Sequence, residues 1–266
     1  MTMSRVSFGD VWEQTRTFIA KEAALLLPVA LLCFAIPLMI WSLVMPETLD
    51  PAKPPAPGAW MLAPAPLMIV QLVGWLALVS LTLIPAISVR EAMHHALRRL
   101  PAALGVVLLL AGMGFVLALA VAILAGFASA ISGSGRDGAQ QIFIVGMMAA
   151  LLAVATRLAV LWPNVVDGRS GPIGTLKRTL RLTKGNGWRL LGLLILAAVV
   201  SGIIDLTAEK AGGSVLLILG RIVGNEALGQ SLTLALSAVV VGLWQMVMVV
   251  YVAFLYRAFV TAETRR

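Results

Sequence analysis

Charged residues are scarce in this sequence. Asp, Glu, Lys and Arg make up only 12% of the 266 residues, whereas hydrophobic residues make up 60%. Soluble domains carry roughly 25% charged residues, so the composition excludes an ordinary soluble globular protein. Apolar runs of about 20 residues, the length that crosses a bilayer core, recur along the whole chain. The sequence therefore predicts an integral membrane protein, in agreement with its mean hydropathy of +0.98.

Residues that carry catalysis or bind metals are also scarce. The single cysteine, Cys33, excludes an intramolecular disulfide framework. The only two histidines, His94 and His95, are adjacent in sequence, so on a helix they point about 100° apart and do not form an i, i+4 metal-binding pair. Acidic residues are scattered over the predicted outer connections: Glu47, Asp50, Asp137, Asp205, Glu209 and Glu226. We therefore predict no catalytic residues, no metal, no cofactor and no enzymatic activity.

The basic residues follow a topological pattern. We predict six transmembrane helices, at Ala23–Met45, Leu62–Val89, Ala102–Ile131, Gln140–Val166, Trp188–Thr207 and Gly229–Phe259. Of the 20 Lys and Arg residues, fifteen belong to the termini and the two even-numbered connections, four belong to the other three connections, and Arg157 lies inside the fourth predicted helix. The positive-inside rule then places both termini in the cytoplasm. We expect a multi-pass protein of a bacterial inner (plasma) membrane, and the charge of +8 does not indicate nucleic-acid binding.

Three amphipathic segments precede the first, third and fifth predicted helices. They begin near residues 7, 89 and 172, and each carries apolar and charged side chains on different helical faces, as helices in the membrane interface do. Their recurrence indicates three tandem units, at 6–87, 88–170 and 171–260, within one integral membrane domain covering 1–266. Alternatively, inner loops between membrane helices are amphipathic and basic without any duplication. The predicted fold class is all-α, a polytopic bundle of six transmembrane helices with amphipathic interfacial helices.

The connection after the fifth predicted helix contains a further apolar run. Residues 208–229 read AEKAGGSVLLILGRIVGNEALG, and the apolar part covers only about ten residues, which is too short to cross a membrane. We expect this segment to be re-entrant or interfacial on the outer side.

Several polar side chains interrupt the predicted membrane helices. Arg157 lies about eight residues from the inner end of the fourth helix, roughly 10 Å deep at 1.5 Å per residue. An arginine at the centre of a membrane helix costs roughly 2.5–3.5 kcal/mol, and less near an end. We therefore expect it either to snorkel and bond a neighbouring helix or to bind a lipid phosphate bidentately. Two mid-span pairs, Gln71 with Trp75 and Trp244 with Gln245, are predicted to hydrogen-bond between helices.

Six basic residues follow Arg157 before the next apolar run. Each Lys or Arg near an anionic leaflet contributes about 1 kcal/mol of attraction. We predict a lipid head-group site at Arg157, Lys177, Arg178, Arg181, Lys184, Trp188 and Arg189.

The same stretch carries a specific pattern of residues. The pattern comprises Arg157, Pro163, Asp167, Arg178, Leu182, Thr183, Gly185, Trp188 and Arg189. It resembles the glycerophosphoryl diester phosphodiesterase membrane-domain family, with two departures: Asp167 stands where Glu is usual, and Thr179 where Ser is usual. The resemblance implies only a membrane domain, because in some members catalysis belongs to a separate soluble phosphodiesterase domain, which is not expected here.

Three functions remain open at this point. The first is a non-catalytic membrane protein that binds anionic lipid, a membrane protein partner or another copy of itself through its inner basic belt. The second is a small transporter or exporter of a lipid-like or amphiphilic solute. Prolines and polar residues within the spans favour it, whereas the lack of mid-span acids for ion coupling disfavours it. The third is a lipid-modifying enzyme that uses Glu91, His94 and Asp167 at the inner interface.

Overall fold

The computed structural model describes residues 7–45, 58–133, 135–168 and 171–264, and within these ranges the chain is helical without strands. Six helical stretches are long and apolar enough to cross a membrane: Phe8–Val44, Trp60–Leu83, Val89–Ser132, Asp137–Asp167, Gly187–Ile222 and Glu226–Thr264. The predicted all-α membrane bundle is therefore confirmed. Some residues of the charge analysis lie outside the described ones, namely Arg5, Glu47, Asp50, Lys53, Arg169, Arg265, Arg266 and the side chain of Arg136.

Eleven α-helices and two π-helical turns are described. The helices are α1 (Phe8–Ala30), α2 (Ile36–Val44), α3 (Ala59–Leu62), α4 (Pro64–Leu83), α5 (Val89–Ser132), α6 (Gly135–Leu158), α7 (Leu161–Asp167), α8 (Pro172–Leu182), α9 (Gly187–Leu206), α10 (Gly213–Ile222) and α11 (Glu226–Thr264). A π-helical turn at Leu31–Ala35 joins α1 to α2, and another at Thr207–Gly212 joins α9 to α10. The chain divides into two compact units, residues 1–100 with 196–266, and residues 101–195.

In the first unit, α1 packs on α11. Its amphipathic start is separated from the membrane part by a kink at Glu22, where φ is −108° and ψ is 16°. Phe18 contacts Phe254 edge-on with ring centroids 5.5 Å apart, and Trp12 lies 6.3 Å from Tyr251. The apolar face that the sequence predicts for this segment is therefore used, at least in part, for packing against α11.

Small residues bring the membrane helices of the first unit together. A Cβ atom added at Gly74 of α4 would overlap the Cβ of Cys33, and one at Gly242 of α11 would lie 3.0 Å from the backbone nitrogen of Ala35. Without bulky side chains at these positions, backbones approach closely and gain dispersion contacts that the bilayer does not offer elsewhere. The core around these crossings is well filled, since Phe34, Leu76 and Val249 are fully buried.

The end of the first unit differs from the sequence expectation. The apolar run after the fifth predicted helix forms α10, which continues α9 through the π-helical turn and folds back on the start of α11. The reversal occurs at Gly224, where φ is +74°. A Cβ atom at Gly220 would lie only 2.9 Å from the Cα of Gly229, so this hairpin requires glycine at its crossing. The fifth and sixth helices are accordingly longer than predicted.

The three amphipathic segments join their membrane helices in three different ways. The first is set off by the kink at Glu22. The second forms the first turns of α5. That helix is capped by Ser88 and continues through Pro101 without a break. The third is the separate helix α8, after which the chain turns at Gly185 with φ +92°. The tandem repeat stays a prediction.

In the second unit, the buried residues concentrate at α7 and α8. Val160 and Asn164 are almost completely buried there, as is Thr179. By contrast, large apolar side chains on α5 are exposed, including Leu108 at 72% and Phe115 at 73%. Such exposure is costly in water and neutral in lipid, so these faces suit contact with acyl chains.

Candidate lipid head-group site

A buried asparagine of α7 forms hydrogen bonds to α8. Asn164, only 2% exposed, donates from its side-chain nitrogen to the carbonyl oxygen of Thr175 at 2.8 Å and to Oγ1 of Thr179 at 3.0 Å. The Thr179 hydroxyl in turn donates to the Thr175 carbonyl at 2.9 Å. The polar atoms between the two helices therefore satisfy one another, as buried polar groups require.

An ion pair adds a second tie between these helices. The Arg178 guanidinium donates to a carboxylate oxygen of Asp167 at 2.8 Å, and the two side chains are 15% and 24% exposed. Both partners belong to the pattern that resembles the phosphodiesterase membrane-domain family. Arg178 thus serves an internal contact, although the sequence analysis assigned it to head-group binding.

The end of α8 is tied to the end of α6. Thr183 is fully buried, and its hydroxyl donates to the carbonyl oxygen of Arg157 at 3.1 Å. The chain then turns at Gly185, and α9 begins with a hydrogen bond from the Leu190 N–H to the Asn186 carbonyl at 3.0 Å. A Cβ atom placed on Gly187 would lie 3.9 Å from Cζ of Arg157. The Arg157 guanidinium therefore lies beside the first turn of α9.

A cavity of about 650 Å³ opens at this point. Arg157, Arg189 and Trp188 line it, together with small or apolar residues and two neutral polar ones, namely Ala149, Leu152, Ala153, Leu191, Gly185, Gly187, Thr156 and Asn186. Trp188 is 86% exposed. No hydrogen bond or ion pair involves the Arg157 guanidinium within the part of the chain that the structure describes. Two cations beside an apolar wall are chemically suited to a phosphate that carries an acyl chain.

The start of α9 contributes to the electrostatics of this cavity. The first N–H groups of an α-helix have no carbonyl partner within the helix and carry the positive end of its dipole. Gly187 and Trp188 both line the cavity from this first turn. The N–H groups of the turn and the guanidinium of Arg157 therefore add positive potential in one place, which favours an anion.

The exposed face of α8 mixes cations with apolar side chains. Lys177, Arg181 and Lys184 are all exposed, and so are Ile173 at 60% and Leu180 at 41%. The threonines that line the buried face of α8 were not predicted from the sequence. A helix face with both apolar side chains and long cations fits the boundary between acyl chains and head groups, where Lys and Arg extend toward the phosphates.

Other residues singled out in the sequence lie in the first unit. Gln71 and Trp75 are half-buried in α4, where Trp75 contacts Phe34 edge-on. Gln245 lines a second cavity, and its neighbour Trp244 makes the predicted interhelical hydrogen bond, here to Ser201 of α9 at 2.5 Å.

Two residues of the enzyme hypothesis, Glu91 and His94, lie in the first turns of α5. Glu91 accepts hydrogen bonds from the backbone and hydroxyl of Ser88 at 2.9 and 2.7 Å, which is a helix-capping role. His94 is exposed, whereas Nδ1 of His95 lies 3.1 Å from the Ser80 hydroxyl. Among the described residues, no group of three His, Cys, Asp or Glu side chains is placed to hold a metal ion.

Asn164 and the buried threonines of α8 were not identified from the sequence. A signal existed, because Thr175, Thr179 and Thr183 recur every four residues and so share a helical face. Asn164 is also a lone amide beside apolar residues. Neither signal indicates that Asn164 contacts these threonines, because residues 164 and 179 come together only in the packing of α7 against α8.

Comparisons with protein-family models, with curated proteins and with solved structures returned no match. The resemblance to the phosphodiesterase membrane-domain family therefore stays a prediction.

Proposed function

We propose that the protein is a non-catalytic, multi-pass inner-membrane protein that binds an anionic lipid, with both termini in the cytoplasm. The observation that carries this proposal is the cavity of about 650 Å³ in which Arg157 and Arg189 lie beside an apolar wall. A guanidinium matches phosphate geometry with two parallel hydrogen bonds and stays charged at any physiological pH. The remaining wall accommodates the start of an acyl chain.

The cost of placing Arg157 in a membrane helix supports a bound anion. An unpaired cation away from water is unfavourable, and polar groups in membrane spans are usually paired. The described chain supplies no ion-pair partner for this guanidinium, whereas it supplies Asp167 to the neighbouring Arg178. A lipid phosphate would pair with the Arg157 guanidinium, as the Asp167 carboxylate pairs with Arg178.

The exposed face of α8 would strengthen the preference for anionic lipid. Lys177 and Arg181 are exposed on α8, Lys184 is exposed in the turn that follows it, and each contributes about 1 kcal/mol near an anionic leaflet. These three cations attract the leaflet in general, while the cavity selects one lipid. A membrane protein partner or a second copy of the chain would use the same face, and would be recognised by a change in oligomeric state.

Lipid analysis of the gently purified protein tests the proposal. Phosphatidylglycerol and phosphatidylcholine are supplied in equal amounts in nanodiscs, and bound lipid is counted by native mass spectrometry. We expect the wild type to retain phosphatidylglycerol and Arg157→Ala to lose most of it. Arg16→Ala is the matched control, because it removes one exposed arginine from α1 in the other unit.

Two further measurements are needed to interpret a loss of lipid in Arg157→Ala. Far-ultraviolet circular dichroism and thermal unfolding establish that Arg157→Ala is folded. If the folded variant retains as much phosphatidylglycerol as the wild type, Arg157 has a structural role and the proposal is wrong. If Arg16→Ala loses as much phosphatidylglycerol as Arg157→Ala, lipid retention depends only on the total positive charge of the protein. The cavity would then not be a specific site.

A further inference from the structure

A second cavity, of about 490 Å³, lies within the first unit between α2, α9 and α11. Its size is typical of small-molecule sites. The polar and aromatic residues that line it include Trp41, Ser42, Ser201, Asp205, Trp244 and Gln245. These side chains come from helices long and apolar enough to cross a membrane, where such polar groups are expensive and commonly functional.

The charge of this cavity is opposite to that of the head-group site. Asp205 is the one ionisable side chain among its described lining residues, although the chain as a whole carries a net charge of +8. The Asp205 carboxylate makes no ion pair or hydrogen bond with any described residue. Asp205 was counted among the acids of the outer connections, although the predicted fifth helix, Trp188–Thr207, also included it. The structure places it inside α9, one residue before Leu206, so the assignment to a connection was wrong.

Two indole side chains accompany the carboxylate. The Trp244 ring is held in place, because its Nε1–H donates to the Ser201 hydroxyl at 2.5 Å and that hydroxyl donates to the Ala197 carbonyl at 2.7 Å. Trp41 contributes the second indole from α2. The face of an indole attracts cations, and more strongly when water is excluded. A carboxylate together with two indoles therefore favours a positively charged ligand with apolar substituents.

We propose that this cavity binds an organic cation, an ammonium or phosphonium that carries alkyl or aryl groups. Asp205 neutralises the charge, the indoles contact the substituents, and Ser42 and Gln245 add neutral polar contacts. A compact inorganic cation fits less well, because it needs several oxygen ligands to replace its hydration shell and the cavity offers one carboxylate. The inference rests on residues of the first unit alone and is independent of the head-group proposal.

Binding of two ions with the same shape and opposite charge tests this inference. Tetraphenylphosphonium and tetraphenylborate are titrated into the full-length protein in detergent, with binding followed by isothermal titration calorimetry. We expect saturable binding of tetraphenylphosphonium at one site and no saturable binding of tetraphenylborate. Asp205→Asn should weaken phosphonium binding at least tenfold, and Asp205→Glu, which keeps the charge, should weaken it less.

Matched variants separate the cavity from general charge effects. Glu209→Gln removes another exposed acid, one that already pairs with Lys210 at 2.7 Å, and should leave the affinity unchanged. Trp244→Leu should weaken binding, and Arg157→Ala should not affect it. Equal affinity of the wild type and Asp205→Asn would overturn the proposal. So would saturable binding of tetraphenylborate with similar affinity.

The cation could come from solution or from the ammonium head group of a lipid. Repeating the titration in nanodiscs of pure phosphatidylcholine and pure phosphatidylglycerol distinguishes these sources. In one outcome, the wild type binds phosphonium more weakly in phosphatidylcholine than in phosphatidylglycerol, whereas any residual binding by Asp205→Asn is the same in both lipids. The cavity then binds the ammonium group of a lipid. If the affinities agree in both nanodiscs, a soluble amphiphilic cation is the ligand. If binding seen in detergent is absent from both nanodiscs, the cavity is not a ligand site in a membrane and the proposal fails.

Discussion

Replacing Asn164 by alanine should loosen α8 without disturbing the rest of the chain. The substitution removes two buried hydrogen bonds, to the Thr175 carbonyl and to the Thr179 hydroxyl. Each such bond contributes a net of about 0.5–1.5 kcal/mol. The Thr175 carbonyl keeps its bond from the Thr179 hydroxyl, so no backbone acceptor is left without a partner. We therefore expect a loss of about 1–3 kcal/mol in the stability of the α7–α8 contact.

Trypsin cleavage within α8 measures this loss directly. Lys177 and Arg181 of α8 are exposed, but a protease needs local unfolding of the helix before it cuts after them, so only these two sites are counted. When opening and closing are fast, the cleavage rate follows the population of the open form. A loss of 1–3 kcal/mol then corresponds to a rate increase of roughly 5- to 150-fold. The assay uses purified protein in nanodiscs, with cleavage sites identified by mass spectrometry.

Gln14→Ala is the control for this experiment, since it removes an exposed amide from α1 and should leave the cleavage rate of α8 unchanged. If Asn164→Ala is cleaved within twofold of the wild-type rate, the buried hydrogen bonds contribute little. The account of how α8 is held in place would then be wrong.

Two further predictions concern stability and one concerns reactivity. A double-mutant cycle on Asp167→Ala and Arg178→Ala should give a coupling energy of about 1–2 kcal/mol in thermal or denaturant unfolding, and additive effects would exclude a stabilising pair. Gly74→Ala should lower the melting temperature, because its new methyl group would overlap the Cβ of Cys33, whereas Gly112→Ala should be neutral or slightly stabilising, because nothing lies within 4 Å of that position. Cys33 is 4% exposed, so a water-soluble maleimide should label it only after denaturation, and rapid labelling of the native protein would contradict its burial.

The sequence predicted the class of fold and the number of membrane helices because both depend on local composition. Each apolar run is long enough to cross a bilayer, and no distant residue is needed to recognise it. The way in which amphipathic segments join the membrane helices was less predictable. Helical periodicity identifies an apolar face, but it does not show whether the helix is interrupted, as at Glu22, or continues through a proline, as at Pro101.

The candidate sites were predictable only in part, for a related reason. Arg157 is recognisable from the sequence, because a cation within an apolar run is unusual whatever residues it contacts in the folded chain. Asp205 does not stand out, because it lies at the end of an apolar helix and its partners in the cavity are remote in sequence. Only the folded chain, in which Trp244 of α11 donates to Ser201 of α9, brings Asp205 and Trp244 to the same cavity. The sequence therefore indicated which residues were unusual and left their grouping to the structure.

The charged residues that line the two cavities differ from the ion pair that positions α8. Asp167 and Arg178 form an ion pair and give α8 its position, whereas Arg157 and Asp205 line cavities with no ion-pair partner among the described residues. Fold stability alone does not account for unpaired charges in membrane helices, because an apolar residue would be cheaper there. Both side chains are exposed in the structure, and the sign of each charge is what supports the two proposed ligands: a phosphate for Arg157 and an organic cation for Asp205.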